Sequence, residues 1–229
     1  MPLLLSRKTA CGFAALLLAF AGCGSKETRA LLQPPQALGL VLADEAARAA
    51  GAKKQVAVIL PDASWGPSSI AEDAFRAAMK KQGFSVLDVK VADLGDPMRS
   101  RPGLKAADFI EALDKSAGAG AVVSFAGAPL LQQGDAARLR PEQHPPVLVV
   151  ATMTLGTVPG VANDRVLLAS LLEAGIIQLA IVDGADTSAP PAAKGDADSE
   201  LFAQNYRILR RSNGGLPPHS GFDDQASCH

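Results

Sequence analysis

QVAVIL, residues 55–60, is a continuous apolar run in which half of the side chains are β-branched. A strand of this kind carries apolar side chains on both faces, which is typical of the interior of a parallel sheet. Three later segments have the same character: residues 121–125 (AVVSF), 146–153 (PVLVVATM) and 176–182 (IIQLAIV). The sequence therefore predicts four buried strands of one sheet. The side chains expected in its core include Val58, Ile59, Val122, Val149 and Ile181.

Segments with helical periodicity surround and separate these strands. Apolar side chains recur every three or four residues, the spacing of one helix face. The segments predicted to be helices are 36–50, 69–82, 105–116 and 164–175. Ser68 or Ser69 can cap the second of them.

Two further segments complete the predicted sheet. Residues 84–91 alternate apolar and polar side chains and indicate a strand nearer an edge. Residues 202–210 (FAQNYRILR) predict a final strand, with a helix as the alternative. Strands and helices that alternate through right-handed crossovers predict an α/β fold. We expect a three-layer, doubly wound, mostly parallel sheet of about five to six strands, in the flavodoxin-like order 2-1-3-4-5.

The first 23 residues have the pattern of an export signal. Arg7 and Lys8 form a basic start, residues 10–19 are mostly apolar, and Phe20-Ala21-Gly22 precedes Cys23. The apolar run is about half of the ~20 residues that a membrane span requires. The last four residues resemble the lipobox of bacterial lipoproteins, in which the cysteine receives a diacylglycerol group. That cysteine becomes the first residue after cleavage and is then N-acylated, for example with palmitate.

This resemblance implies a lipoprotein signal peptide over residues 1–22, lipidation of Cys23 and a lipidated tether over residues 23–35. Gly24, where an Asp favours retention at the inner membrane, implies the outer membrane and a domain facing the periplasm. The inner membrane and the cell surface remain alternatives. A soluble-export signal and an uncleaved membrane anchor are the other interpretations of the segment.

The rest of the chain has the composition of one globular domain. We expect a single α/β domain over residues 36–211 and a disordered Pro- and Gly-rich tail over residues 212–229. A formal net charge of −1, one Trp and one Tyr indicate no nucleic-acid partner. With Cys11 in the signal and Cys23 lipidated, Cys228 has no partner for an intramolecular disulfide.

Residues 55–125 resemble one lobe of the type I periplasmic binding proteins, the fold shared by sugar receptors and LacI-like regulators. The matching stretches are QVAVILPDASWG, AEDAFRAAMKKQGFSV and FIEALDKSAGAGAVVSF. The resemblance implies a loop after the first strand that contacts ligand. Members of this family close two lobes around the ligand, whereas this chain has room for one lobe. A clamp would therefore need a second copy of the chain.

In an open parallel sheet, ligands bind outside the carboxyl ends of the strands. An Asp beside a Trp suits a sugar-like or amine-like ligand, because the ring stacks on the indole and the carboxylate accepts hydrogen bonds. The simpler interpretation is that the Asp starts a turn and the Trp covers the sheet. The candidate ligand-binding residues are Asp62, Ser64, Trp65, Gly127, Thr152 and Asp183.

The motifs of common enzymes are not found in the sequence. No Gly-rich nucleotide loop and no Gly-x-Ser-x-Gly turn occurs. His144 and His219 are far apart in sequence and do not indicate a metal pair. We therefore predict a protein that is not an enzyme, with no cofactor and no metal, and with a binding or scaffolding role. It would act as an accessory subunit with a protein partner in the envelope. The alternatives are a sugar-like-ligand receptor that works as a dimer and a degenerate envelope enzyme.

Overall fold

The computed structural model describes residues 26–62, 69–95, 103–136, 138–152, 164–184 and 197–211. The chain divides into two units, residues 1–33 and 34–229. Cys23, Ser64, Trp65 and the predicted tail at 212–229 lie outside the described residues.

Fifteen short elements make up the described chain. The helices are α1 (Lys26–Ala50), α2 (Ile70–Lys81), α3 (Ala106–Lys115), α4 (Gln133–Ala136), α5 (Arg165–Glu173) and α6 (Ala197–Asn205), with one 3-10 turn at Pro141–Gln143. The strands are β1 (Gln55–Pro61), β2 (Ser85–Ala92), β3 (Leu104–Lys105), β4 (Ala121–Ser124), β5 (Pro129–Leu130), β6 (Val147–Ala151), β7 (Leu179–Asp183) and β8 (Tyr206–Arg210).

Six of these strands form one sheet in the order β2-β1-β4-β6-β7-β8. All neighbours pair in parallel except β7 and β8, which are antiparallel. The short β3 and β5 pair separately as a two-stranded sheet. The predicted α/β fold with its doubly wound, mostly parallel sheet is confirmed, since the large-sheet strands numbered along the chain run 2-1-3-4-5-6.

The core consists of two apolar layers, one on each face of the sheet. α3 and α5 cover the face that carries Ala57, Ile59 and Val149. α2, α6 and the buried part of α1 from Ala37 onward cover the other face. We call these the α3/α5 layer and the α1/α2/α6 layer. The five side chains predicted for the core are all fully buried, as expected of strands covered on both faces.

Two elements begin at residues well away from the predicted ones. α1 begins at Lys26 rather than Gln36, and it contains Pro34 and Pro35, which the prediction assigned to the tether before the helix. β7 begins at Leu179, because Ile176 and Ile177 still bond to Leu171 O at the end of α5.

The predicted final strand at residues 202–210 is wrong in its first half. Residues up to Asn205 belong to α6, and the strand begins at Tyr206. Phe202 lies on α6 and Tyr206 begins the strand, and their rings lie 5.5 Å apart between centroids. Packing of these two rings in the α1/α2/α6 layer favours the helix over the alternation of the sequence.

Side chains close the helix ends and the sheet edges. Ser69 accepts a hydrogen bond from Glu72 N at 3.1 Å and caps α2, as predicted for Ser68 or Ser69. Glu45 on α1 is 5% exposed and pairs with Arg210 on β8 at 2.7 Å. This ion pair ties the last strand to α1. Of the described helices, none combines the length and the apolar character that a membrane crossing requires.

The two-sided burial of β1 predicts a large effect of Val58→Asp. The carboxylate would be stranded in the α1/α2/α6 layer, at a cost of several kcal/mol in the free energy of unfolding. The matched control is Val91→Asp on the edge strand β2, where the side chain is 57% exposed and the cost should stay within about 1 kcal/mol. Urea denaturation of both variants measures the difference, and equal stabilities would contradict the two-sided burial of β1.

Candidate functional site

The carboxyl ends of the parallel strands form one edge of the sheet, which we call the carboxyl edge. Asp62 follows β1, Phe125 follows β4, Thr152 follows β6, and Asp183 ends β7. Four stretches of chain that leave this edge, 63–68, 96–102, 153–163 and 185–196, lie outside the described residues. The strand ends that form the carboxyl edge are therefore described, whereas Ser64 and Trp65 lie outside the described residues.

The strand order reverses between β1 and β4. The chain passes from β1 outward to β2 and then returns through α3 to β4 on the other side of β1. Connections at such a point leave the sheet in opposite directions, so they open a crevice between the two strand ends. Asp62 and Gly127 stand on either side of this switch point.

The turn after β4 is held by three contacts. Phe125 N donates to Ile59 O at 2.9 Å, and the Phe125 ring packs edge-on against Phe75 of α2, with 5.6 Å between centroids. Ser124 is fully buried, and its Oγ donates to Gly127 O at 2.7 Å. The backbone is thereby fixed on the β4 side of the crevice.

Gly127 adopts a positive φ of 84°, which side chains other than glycine rarely adopt. A Cβ placed on Gly127 would have no neighbour within 4 Å. Open space thus adjoins the position of a Gly127 side chain, although the glycine itself is buried.

The predicted site residues do not all share one place. Asp62 and Gly127 belong to neighbouring strands, and Thr152 follows the next strand along. Strands are spaced about 4.8 Å apart, so Asp183 lies roughly 14 Å across the sheet from the end of β1. Thr152 is 0% exposed, whereas Asp62 and Asp183 are partly exposed. Asp62 and Asp183 are therefore the predicted site residues that are partly exposed within the described part of the chain, and they lie at separate places on the carboxyl edge.

The carboxylate of Asp93, close to Asp62, is bound by Lys105. Asp62 N donates to Ala92 O, which brings the end of β1 beside Asp93. Lys105 Nζ donates to Asp93 Oδ2 at 2.9 Å, and Gly95 N donates to Oδ1 at 2.9 Å. The hydrogen bond from Lys105, followed by that from Gly95, lowers the pKa of the Asp93 carboxyl. The exposed ion pair with Lys105 thus accounts for the lowered pKa of Asp93.

Two surface grooves lie away from the carboxyl edge. One of about 660 Å³ runs between α1, α2 and α6 and is lined by Leu40, Asp44 and Ala74 among others. The other, of about 350 Å³, lies at the amino ends of β1, β4 and β6 beside Lys53 and His144. Neither groove contains a predicted site residue. Within the described ranges, no group of three or more His, Cys, Asp or Glu side chains is arranged to hold a metal ion.

The structure adds two residues of the carboxyl edge that the sequence analysis missed. Ser124 is a polar residue at the end of the apolar run AVVS, and this break in the pattern was a usable signal. Arg207 lies at the start of β8, and its Nε is buried. The alternation of YRILR gave no indication that this nitrogen would be buried.

No protein-family model matches this chain, and no curated protein is significantly similar to it.

The hydrogen bond of Ser124 predicts a stability loss in Ser124→Ala. The variant removes the donor to Gly127 O in a fully buried turn, which should lower the free energy of unfolding by about 1–2 kcal/mol. Ser85→Ala is the matched control, because Ser85 Oγ also donates to a backbone carbonyl but is exposed. Its loss should be within about 0.5 kcal/mol. Chemical denaturation measures the free energy of unfolding of both variants. If Ser124→Ala is no less stable than Ser85→Ala, the hydrogen bond from Ser124 to Gly127 O does not stabilise this turn.

Proposed function

We propose that this chain is a lipid-anchored protein of the bacterial cell envelope, with a non-catalytic binding or scaffolding role. The observation that carries the proposal is the N-terminal sequence, in which a basic start and an apolar run end at Ala21-Gly22-Cys23. A cysteine carrying several acyl chains would hold the protein on a bilayer stably, since each buried CH₂ contributes about 0.8 kcal/mol. The outer membrane, with the domain facing the periplasm, is the location we propose.

A binding role is supported by the way the fold uses its residues. The two core layers bury the apolar side chains of β1, β4, β6 and β7. The surfaces that remain for contacts with other molecules are therefore the strand ends and the outer faces of the helices. The charged groups beside the switch point, Asp93 and Lys105, neutralise each other. A protein partner in the envelope is the occupant we favour, with the domain as an accessory subunit of an assembly.

A small-ligand receptor is the second candidate, and the switch point is the observation that favours it. Asp62 can accept hydrogen bonds there, and Gly127 leaves open space beside its backbone. Since one lobe alone covers a ligand on one side, such a receptor would use two copies of the chain.

The anchoring proposal predicts the fate of a Cys23→Ser variant. Without the thiol, the protein should either remain an unprocessed precursor or be released as a soluble species. Cys228→Ser is the matched control and should fractionate with the membrane like the parent. Membrane fractionation with mass spectrometry of the N-terminus makes the measurement. A Cys23→Ser protein that is matured and remains in the outer membrane would exclude lipidation at this cysteine.

The single Trp of the chain, Trp65, allows the two candidates to be separated. Sugars, amino acids and envelope fragments should change its fluorescence if a small ligand binds at the switch point, and Asp62→Ala should weaken that response. Asp114→Ala, an exposed acid on α3, is the control. The scaffold role predicts a response only when a protein partner is added. A tight ligand whose affinity survives both Asp62→Ala and Trp65→Ala would rule out this location.

A further inference from the structure

The direction of α1 across the sheet is fixed by two close approaches. Gly39 of α1 lies against the early part of α2, since a Cβ placed on this glycine would be 2.8 Å from Ala74 Cβ. Gly120, which directly precedes β4, lies against the last residue of α1, since a Cβ placed on it would be 2.7 Å from Ala50 Cβ. A larger residue at either glycine would push the elements apart, so these two contacts hold the second half of α1 in place.

These contacts place the beginning of that half near the carboxyl edge. α2 begins after the carboxyl end of β1 and ends before β2, whose first residue pairs with the first residue of β1. Gly39 is therefore near the carboxyl edge, whereas Ala50 is at the opposite edge, which we call the amino edge. From Pro34 to Ala50 a helix rises roughly 24 Å, about the length of the seven-residue strand β1. The chain thus enters the unit 34–229 at the carboxyl edge.

The proposed lipid anchor precedes this point of entry by a short stretch of chain. Pro34 is eleven positions after Cys23, and most of this stretch is helical because α1 begins at Lys26. Such a stretch spans roughly 23 Å at most. It could bring the amino edge to the bilayer only by running straight back along the domain, against the direction of α1. Pro34 and Pro35 can bend a helix, but a bend of this kind does not reverse the chain.

The described side chains near this edge are compatible with a lipid surface. The charged ones are mixed in sign: Asp62, Asp93, Asp183, Lys105 and Arg207. Lipid headgroups therefore neither attract nor repel this edge strongly, and the length of the chain decides its position. Leu32, which lies between the anchor and the domain, is 41% exposed and has the apolar character that favours the boundary between headgroups and acyl chains.

We infer that the carboxyl edge of the sheet faces the bilayer and that the lipid surface covers it. This inference rests on the proposed lipid anchor and adds the orientation of the domain and the partner of this edge. A ligand of the switch point would then arrive from the headgroup region of the membrane. The amino edge, with the groove of about 350 Å³ beside Lys53 and His144, would face away from the bilayer toward a protein partner.

The single Trp of the chain reports the distance of the carboxyl edge from the bilayer. Trp65 follows the last residue of β1 by four positions, so it is within roughly 14 Å of that strand end. The test places the acylated full-length protein in vesicles of phosphatidylethanolamine and phosphatidylglycerol that contain dansyl-labelled phosphatidylethanolamine. Energy transfer from the indole to the dansyl group is measured. Transfer from Trp65 should be severalfold more efficient than from a Trp at the amino edge, because transfer falls steeply with distance.

Two double variants move the Trp to the amino edge. They are Trp65→Phe with Ala52→Trp and Trp65→Phe with Ala117→Trp, and both alanines are exposed and line the groove there. Melting temperatures compare their folding with that of the parent, and if one variant does not fold, the other supplies the comparison. A third variant inserts about 20 Gly and Ser residues after Ser25, which lengthens the connection by roughly 25 Å on average and should reduce transfer from Trp65.

Vesicle flotation and mass spectrometry of the N-terminus are carried out on the same samples. If the protein is acylated and floats with the vesicles, equal transfer from both edges or stronger transfer from the amino edge overturns the orientation and leaves the anchor standing. A parent protein that carries no acyl chain overturns the anchor, and the orientation with it. An insertion that leaves transfer from Trp65 unchanged contradicts the argument from chain length.

Discussion

Burial of the central strands on both faces is the constraint on which the rest of the structure depends. Val58 and Ile59 are adjacent on β1, yet both are fully buried, one in each core layer. A strand of this kind has no solvated face, so helices must cover both sides of the sheet and each connection must leave from an end. The apolar sequence of the central strands thus leaves the strand ends and the outer faces of the helices as the surfaces available for recognition.

The two outer strands end the sheet by different means. β2 carries Asp88 and Lys90, each engaged in an ion pair with a neighbouring helix, and its register against β1 skips Val89. Charges and a bulge on an edge strand hinder pairing with another chain. β8 is instead antiparallel and is tied to α1 through the ion pair of Arg210 with Glu45. The antiparallel direction brings the start of β8, and with it Arg207, to the carboxyl edge.

The sheet could be predicted from the sequence because its information is local. Runs such as residues 55–60 and 121–124 are apolar throughout, and a parallel sheet is the architecture that buries such runs. The boundary at residues 202–210 could not be predicted in the same way. FAQNYRILR is compatible with both a strand and a helix, and the packing of Phe202 with Tyr206 and the pairing of β8 with β7 involve distant parts of the chain. The candidate site could also be predicted only in part. The sequence places Asp62 and Asp183 at strand ends, but the distance between them depends on the order of the strands in the sheet.

The contrast between Arg207 and Arg210 shows what the sequence leaves undetermined and what the structure adds. Both arginines are on one five-residue strand, and the alternation of side chains turns them toward opposite faces. On the α1/α2/α6 face, Arg210 meets Glu45, a carboxylate that is itself buried and that also binds Arg48. An arginine whose task is to hold the fold together is thus provided with an acid from elsewhere in the chain. Arg207 Nε has no such acceptor among the described residues, although the donor is buried. The alternation along β8 is thus local to the sequence, whereas the meeting of Arg210 with Glu45 depends on how α1 packs against the sheet.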